Sequence, residues 1–249
     1  MRVYVMGAVQ VENGARLLRE SNLGGPQGRF VLAYLALERR RAVTQSELAD
    51  ALWPGSPPSS WNLALSAIVS KLRSRFGSIG LDRTRIIGSA FGCYQLNPPA
   101  GTWVDIEAAF AGVDAAEGAV AAGRPAEAYG PSLIATTILR RPFLAGDGGA
   151  WAQARRDELA AALVRALDTR VEALQANGEI ELALTHAKEA VRLEPFRESG
   201  HRRLMRVHAR MGDRAEAVRV YLELRGLLGS ELGIDPAPET EAVYREIVT

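Results

Sequence analysis

A single cysteine, Cys93, stands among the 249 residues, which excludes an intrachain disulfide and a cysteine-rich zinc site. It is expected to pack as a small hydrophobe, a redox role being the alternative. Histidine is nearly as scarce. His201 and His208 lie seven residues apart, two turns along one helix face, whereas helical metal sites use i, i+3 or i+4 pairs with further ligands. With His186 they are expected to be solvated or satisfied within a core. Long apolar runs are missing: nothing approaches the ~20 residues that cross a bilayer, and Met1 to Val11 lacks the charged start and continuous apolar stretch of a signal peptide. A cytoplasmic protein with no membrane partner is the expectation. No catalytic constellation stands out either. Asp157-Glu158 and Glu179 to Glu181 read as exposed helix charge and caps, and Gly146 to Gly149 (GDGG) lacks the Lys-Ser/Thr end of a phosphate loop. Those glycines are expected to form a flexible connection before a long helix starting near Trp151. The chain is thus expected not to be an enzyme and to bind neither metal nor cofactor.

What the chain does have is opposed charge in its two parts. Residues 1–100 carry 12 basic and 6 acidic side chains, a net of +6, whereas residues 101–249 carry 18 and 23, a net of −5. A basic module attracts a phosphate backbone and releases counterions, with affinity that falls steeply as salt rises. The expected organisation is two domains, 1–100 and 101–249, each large enough to bury its own core.

Ser46 to Phe76 (SELADALWPGSPPSSWNLALSAIVSKLRSRF) reads as a short helix, a Pro-rich turn and a longer helix bearing Lys71, Arg73 and Arg75. Thr44 can cap the first helix, Gln45 to Leu52, with Glu47 three residues on as a capping box requires. Pro54, Pro57 and Pro58 forbid its continuation. The second helix is expected to start near Ser59 or Ser60, either of which can cap it, and to end before Gly77. Within it Leu65, Val69, Leu72 and Phe76 recur at offsets of four, seven and eleven, a single buried stripe. Ser66, Ser70, Lys71, Ser74 and Arg75 fall outside that stripe. A face of hydroxyls and cations suits the major groove of DNA, which admits an α-helix and offers guanine edges and phosphates to Lys and Arg. An amphipathic helix with a solvated basic face fits the same pattern.

Arg83 to Ile87 and Gly92 to Leu96 read as two short strands around a Ser/Gly turn, Gly88 to Ala90. A helix pair followed by a hairpin is a winged helix. Arg83 and Arg85 then lie near the wing, either touching a phosphate or the minor groove or merely solvated. Upstream, Arg2 to Met6, Val9 to Val11 and Arg16 to Leu18 have the alternation and the Gly7 and Asn13-Gly14 turns of a small antiparallel sheet. Gln27 to Leu37 supplies a first helix, with Phe30, Leu32, Ala33, Leu35 and Ala36 mostly inward. The triplet Arg39-Arg40-Arg41 at its end complements the helix dipole as readily as it contacts DNA.

From Trp103 onward the pattern is helical, and it repeats. Gly178-Glu179 and Ala183 recur as Gly212-Asp213 and Ala217, a shift of 34 residues each time. That is the period of tetratricopeptide repeats, whose helix pairs must stack to bury their apolar faces. Simple helical-bundle turns would place the same helices. Each Gly can close a helix in a left-handed conformation, and Pro195 and Pro236 mark junctions between helices.

The N-terminal hundred residues resemble the response-regulator type of winged helix. GRFVLAYLALERRRAVTQSELADALWPGSPP followed by VSKLRSRFG resembles the Streptomyces antibiotic regulatory protein family. WVDIEAAF (Trp103 to Phe110), RPFL (Arg141 to Leu144) and GSELGIDPAP (Gly229 to Pro238) resemble the landmarks of a bacterial transcriptional activator domain. The resemblance implies a mainly α protein with a small α+β part: an N-terminal winged helix-turn-helix, of sheet, three helices and β-hairpin wing, followed by an all-α tetratricopeptide-like domain. It further implies a sequence-specific activator of a biosynthetic, secondary-metabolite gene cluster that binds double-stranded promoter DNA and recruits RNA polymerase holoenzyme, with a homodimer on DNA as a further partner. Ser66, Ala67, Ser70 and Lys71 match base-facing positions of the family, and Asn62 and Arg73 match backbone-facing ones. Ala67 suits a thymine methyl. The turn Trp53, Pro54, Gly55, Ser56, Pro57, Pro58 resembles the loop that touches polymerase. Ser66, Ile68 and Ser70 are shorter or less polar than the family's usual residues, and the wing reads Phe91-Gly92-Cys93-Tyr94 where Gly-Gly-Tyr is common. That thin polar face motivates an alternative, a protein or effector interaction module whose winged helix has little DNA affinity.

Overall fold

The computed structural model describes every residue from Met1 to Thr249, and its contacts divide into two compact units. The first comprises Met1–Ala108 with Ile138–Leu159, the second Ala109–Thr137 with Ala160–Thr249. No helix is long and apolar enough to cross a membrane.

In the first unit, β1 (Arg2–Tyr4), β2 (Gln10–Asn13) and β3 (Arg16–Leu18) pair antiparallel in the order β3-β2-β1. The first strand is shorter than its expected span to Met6 because the Val5 and Met6 amides are diverted. Both donate to the Asp105 carboxylate at 3.0 Å. That carboxylate also accepts from the Ile106 amide, at 2.8 Å, and burial pushes its pKa up against these donors. The second strand begins and ends later than its sequence pattern, at Gln10 and Asn13, with Gly14 at φ 60° in the tight turn that follows.

α1 (Pro26–Leu37) starts with proline at its first position, where the missing amide costs nothing. Val31 and Tyr34 are buried together with the five residues expected to face inward, so this helix is wrapped on nearly every side. A short strand, β4 (Val43–Thr44), leads into α2 (Gln45–Leu52), which Thr44 caps by accepting from the Glu47 amide at 3.1 Å. Glu47 pairs with Arg41 and accepts from the Tyr34 hydroxyl at 2.8 Å, which holds its carboxyl down at about 2. Arg39 forms a two-pronged pair with Glu107 at 2.7 Å. Two of the three consecutive arginines are thereby tied within the fold, and Arg40 is exposed.

α3 (Trp61–Ser78) runs two residues past its expected end. Gly77 is helical, and its bare Cα leaves room for the Arg83 side chain: a Cβ there would lie 2.4 Å from Arg83 Cγ. Neither Ser59 nor Ser60 caps this helix through its hydroxyl; the Ser60 carbonyl accepts from the Leu63 and Ala64 amides, both at 3.0 Å. β5 (Ile87–Ala90) and β6 (Cys93–Leu96) complete a sheet in the order β4-β6-β5. The hairpin's first arm lies further along the chain than expected. Asp82 folds residues 83–86 into a turn by accepting from the Thr84 amide at 2.8 Å and hydroxyl at 2.6 Å. The connecting loop is Phe91-Gly92, between the paired Ala90 and Cys93, and both of its residues have positive φ, 50° and 71°. β7 (Trp103–Val104) adds to β1 in parallel, Val3 opposite Val104. Trp151 packs its ring against Phe30, Tyr34 and Phe143 at centroid distances of 5.4, 4.4 and 5.9 Å. The glycine segment before it is pinned: the Asp147 carboxylate pairs with Arg29, and its carbonyl accepts from Arg156 at 2.7 Å.

The second unit is helical. It draws on α4 (Asp105–Ala121), α5 (Tyr129–Leu139) and α6 (Ala150–Ala176), then α7 (Ile180–Leu193), α8 (Glu198–Arg210), α9 (Arg214–Leu232) and α10 (Pro238–Val248). The 34-residue repeat appears as two equivalent helix endings. At the first, Gly178 has φ 81° and the Glu179 amide reaches back to the Leu174 carbonyl at 2.9 Å; at the second, Gly212 has φ 82° and the Asp213 amide reaches the His208 carbonyl at 3.0 Å. The repeated Ala183 and Ala217 are fully buried, small enough for adjacent helices to close on each other. His201 and His208 are buried, and burial lowers the pKa of each. His201 Nε2 lies 2.9 Å from the Pro195 carbonyl.

Candidate nucleic-acid interface

The periodicity of α3 dictates its two faces. Leu65, Val69, Leu72 and Phe76 are essentially inaccessible, at 0–1% exposure. Ser66, Ala67, Ser70, Lys71, Ser74 and Arg75 are exposed, as is Asn62 at the start of the helix. The buried stripe fixes the rotation of the helix and leaves the opposite side as a row of small groups ending in two cations one turn apart, Lys71 and Arg75. Small side chains let a helix backbone approach a groove closely, while the cations extend past them to base edges or phosphates.

Not every residue on that list is free. Ser66 Oγ lies 3.2 Å from the buried Tyr94 hydroxyl of β6, a link that ties the helix to the wing sheet. The Asn62 side-chain oxygen accepts from the Leu63 amide at 2.8 Å, which leaves its amide nitrogen outward as a donor. Arg73 is half-buried and donates Nε and Nη2 to the Ile87 carbonyl at 2.9 and 2.7 Å, so it clamps the root of the wing to α3. Arg83 lies along Gly77, and Arg85, 87% exposed, makes a loose pair with Asp82 at 3.5 Å. Ser66, Ala67, Ser70, Lys71 and Arg75 therefore share one open face, while Arg83 and Arg85 stand in the turn between helix and wing. In the loop from Trp53 to Pro58 every residue after Trp53 is exposed, and Gly55 has φ 74°.

Two features escape the sequence pattern. Phe91 at the wing tip is fully exposed, and the Gly92 carbonyl beside it accepts from the Gln45 amide at 2.9 Å, joining the wing to the start of α2. A residue followed by Gly between alternating strands was the available hairpin signal; the tight loop at Phe91-Gly92 satisfies it.

Residues 104–248 match the sequence model of the bacterial transcriptional activator domain. Regulatory protein AfsR of Streptomyces coelicolor is 31% identical over 248 residues, which cover all of this chain and 24% of AfsR. Transcriptional regulatory protein EmbR of Mycobacterium tuberculosis is 31% identical over 237 residues, 90% of this chain and 58% of EmbR. Transcriptional regulatory protein MoaR1 of the same organism is 28% identical over 91% of this chain and 73% of its own length. The chain thus spans about a quarter of AfsR and under two thirds of EmbR. The solved structure of Mycobacterium tuberculosis EmbR in complex with a low affinity phosphopeptide superposes with a TM-score of 0.87 at 26% identity, covering 99% of this chain and 64% of that one.

Proposed function

Because the chain belongs to the bacterial transcriptional activator domain family, we propose that it is a sequence-specific DNA-binding activator that reads promoter DNA with the outer face of α3 and steadies itself with the wing. The observation that carries this reading is the rotation of α3: its apolar stripe is sealed in the first unit, and Ser66, Ala67, Ser70, Lys71 and Arg75 all face outward on one side. The net +6 of residues 1–100 supports attraction to a phosphate backbone. The exposed turn from Trp53 to Pro58 is the surface we assign to RNA polymerase holoenzyme. A cytoplasmic role at a secondary-metabolite gene cluster, with a homodimer on the promoter, completes the proposal; the likeness to AfsR, EmbR and MoaR1 supports its regulatory part.

The test is fluorescence anisotropy of the full chain on promoter fragments from its own gene neighbourhood, across a salt series. Lys71→Ala is expected to cost about 1–3 kcal/mol on the cognate site and to relax the preference at one base pair. Equal loss on every sequence overturns the base-reading role of Lys71. Arg73→Ala is expected to weaken all sequences alike by loosening the wing from α3, with the salt slope unchanged, because its guanidinium is spent on the Ile87 carbonyl and not on a phosphate. A full chain that shows no sequence preference at moderate salt favours the second reading, an interaction module, which the short side chains of Ser66, Ala67 and Ser70 support.

A further inference from the structure

Arginines recur along α8 in a way the rest of the second unit does not prepare for. Arg202, Arg206 and Arg210 are spaced by four residues, one row along the helix with about 6 Å between successive positions. Like charges at this spacing repel, and none of the three forms an ion pair: Glu198, one turn before Arg202 in the same row, is taken by the Thr240 hydroxyl and the Ala237 amide. Arg202 donates to the Thr240 hydroxyl at 3.0 Å and Arg210 to the Gln175 side-chain oxygen at 3.1 Å, both neutral acceptors. Arg206 is exposed and has neither a hydrogen bond nor an ion pair. Several other guanidinium groups of the unit sit on carboxylates, Arg165 on Glu117 at 2.6 Å, Arg197 and Arg203 on Asp168 at 2.5 and 2.7 Å, and Arg219 on Glu216, while Arg170 lies over the Tyr129 ring and donates to the Tyr129 carbonyl at 2.9 Å.

The row borders a hollow of about 510 Å³ between α8 and α6, with Arg203, Glu172 and Gln175 among its other walls. Arg206 and Arg210 also line an adjoining hollow of about 600 Å³, which Arg214 extends and in which Glu246 is the acidic residue. No aromatic ring lines either hollow, so neither offers a stacking platform for a nucleobase. Residues 101–249 carry a net −5, which disfavours approach by the dense charge of duplex DNA. A single extended peptide suits the site better. Alternate side chains of an extended strand project to one side about 7 Å apart, close to the repeat of the arginine row, and guanidinium groups pair with carboxylates through two parallel hydrogen bonds.

We propose that the arginine row of α8 is a docking groove for an acidic, extended peptide segment of a partner protein, independent of the DNA-reading face. The test titrates the full chain with a fluorescein-labelled peptide of six Glu-Ala repeats, and with the Gln-Ala peptide of equal length, at low and moderate salt. The expected result is binding of the Glu peptide alone, weakening with salt. Arg206→Glu should reduce it at least tenfold while Arg219→Glu, on α9 and outside the row, leaves it within about twofold. Because Arg206 is exposed and unpartnered, its substitution leaves the packing intact; Arg206→Gln, with a smaller loss of binding, checks the charge reversal, and circular dichroism verifies both. Equal affinity for the two peptides, no binding of either, or equal losses in the Arg206 and Arg219 variants overturns the proposal. A selective loss of random-sequence duplex binding in Arg206→Glu, with peptide binding unchanged, reassigns the row to nucleic acid and overturns it as well.

Discussion

Phe91 is a large apolar side chain held fully in solvent on a backbone with φ 50°, a conformation that non-glycine residues enter at a cost of roughly 1–2 kcal/mol. Asparagine at the same place would make Asn-Gly, the preferred pair for a two-residue hairpin loop with both φ values positive. Phe91→Asn is therefore expected to raise stability by about 1 kcal/mol in urea unfolding. Promoter affinity should fall several-fold in the same variant, because an exposed wedge of this kind suits insertion along a groove floor. A gain in stability with affinity unchanged would leave the ring without a role at DNA. Arg73 and Lys71 make a related contrast. Both lie on α3 and both are basic, yet Arg73 turns back to the Ile87 carbonyl and Lys71 remains open. Their separation was only partly legible in the sequence. The apolar stripe says which residues point inward, but the destination of a long side chain at the border of the stripe depends on a carbonyl fourteen residues away.

At the scale of the helix and the strand, several local signals in the sequence match the structure, while the Ser59 or Ser60 cap of α3 and the Gly88 to Ala90 turn do not. Thr44 caps α2, the stripe of α3 is buried, and Gly178 and Gly212 close their helices 34 residues apart. Boundaries shift where another group intervenes: Asp105 takes the Val5 and Met6 amides and shortens β1, and Asp82 folds residues 83–86 into a turn that moves the first arm of the hairpin along the chain. The repeated endings carry their own prediction. Gly178→Ala and Gly212→Ala should each cost about 1–2 kcal/mol, since alanine meets open space there but must hold a left-handed φ. Gly118→Ala, inside α4 with nothing within 4 Å of its new methyl group, should stabilise by about 0.5–1 kcal/mol. Urea titrations of the three variants check the signs; a loss for Gly118→Ala or a gain at either repeat position contradicts the assignment of these glycines.

Over the whole molecule, the charge division near residue 100 and the contact division follow different lines. Sequence composition changes sign there, yet the first unit also takes in Trp103–Ala108 and the stretch from Ile138 to Leu159. Nothing periodic in residues 138–159 announces that role, because it depends on side chains more than a hundred positions apart: Trp151 stacking on Tyr34, Arg155 reaching Glu38 at 2.9 Å, and Arg29 pairing with Asp147. A fragment ending at residue 100 loses β7, the Asp105 carboxylate and the Trp151 ring together. Val5 and Met6 would then present unpaired amides beside an apolar core, at about 1–3 kcal/mol for each buried group left unsatisfied. The α1 surface around Phe30 and Tyr34 would lose an aromatic neighbour. Such losses compare with the entire stability of a domain this size, roughly 5–15 kcal/mol. Fragment 1–100 is thus expected to lack a cooperative thermal transition and sequence-selective DNA binding. In the full chain Trp151→Ala should lower the urea midpoint through a loss of about 2–3 kcal/mol, less than for a fully buried Trp because this ring is only half-buried. Amide exchange along Phe30–Ala36 reads the same loss locally. If the fragment unfolds cooperatively at the temperature of the intact chain, residues beyond 100 contribute nothing to the first unit, and DNA-binding experiments can be done on it alone.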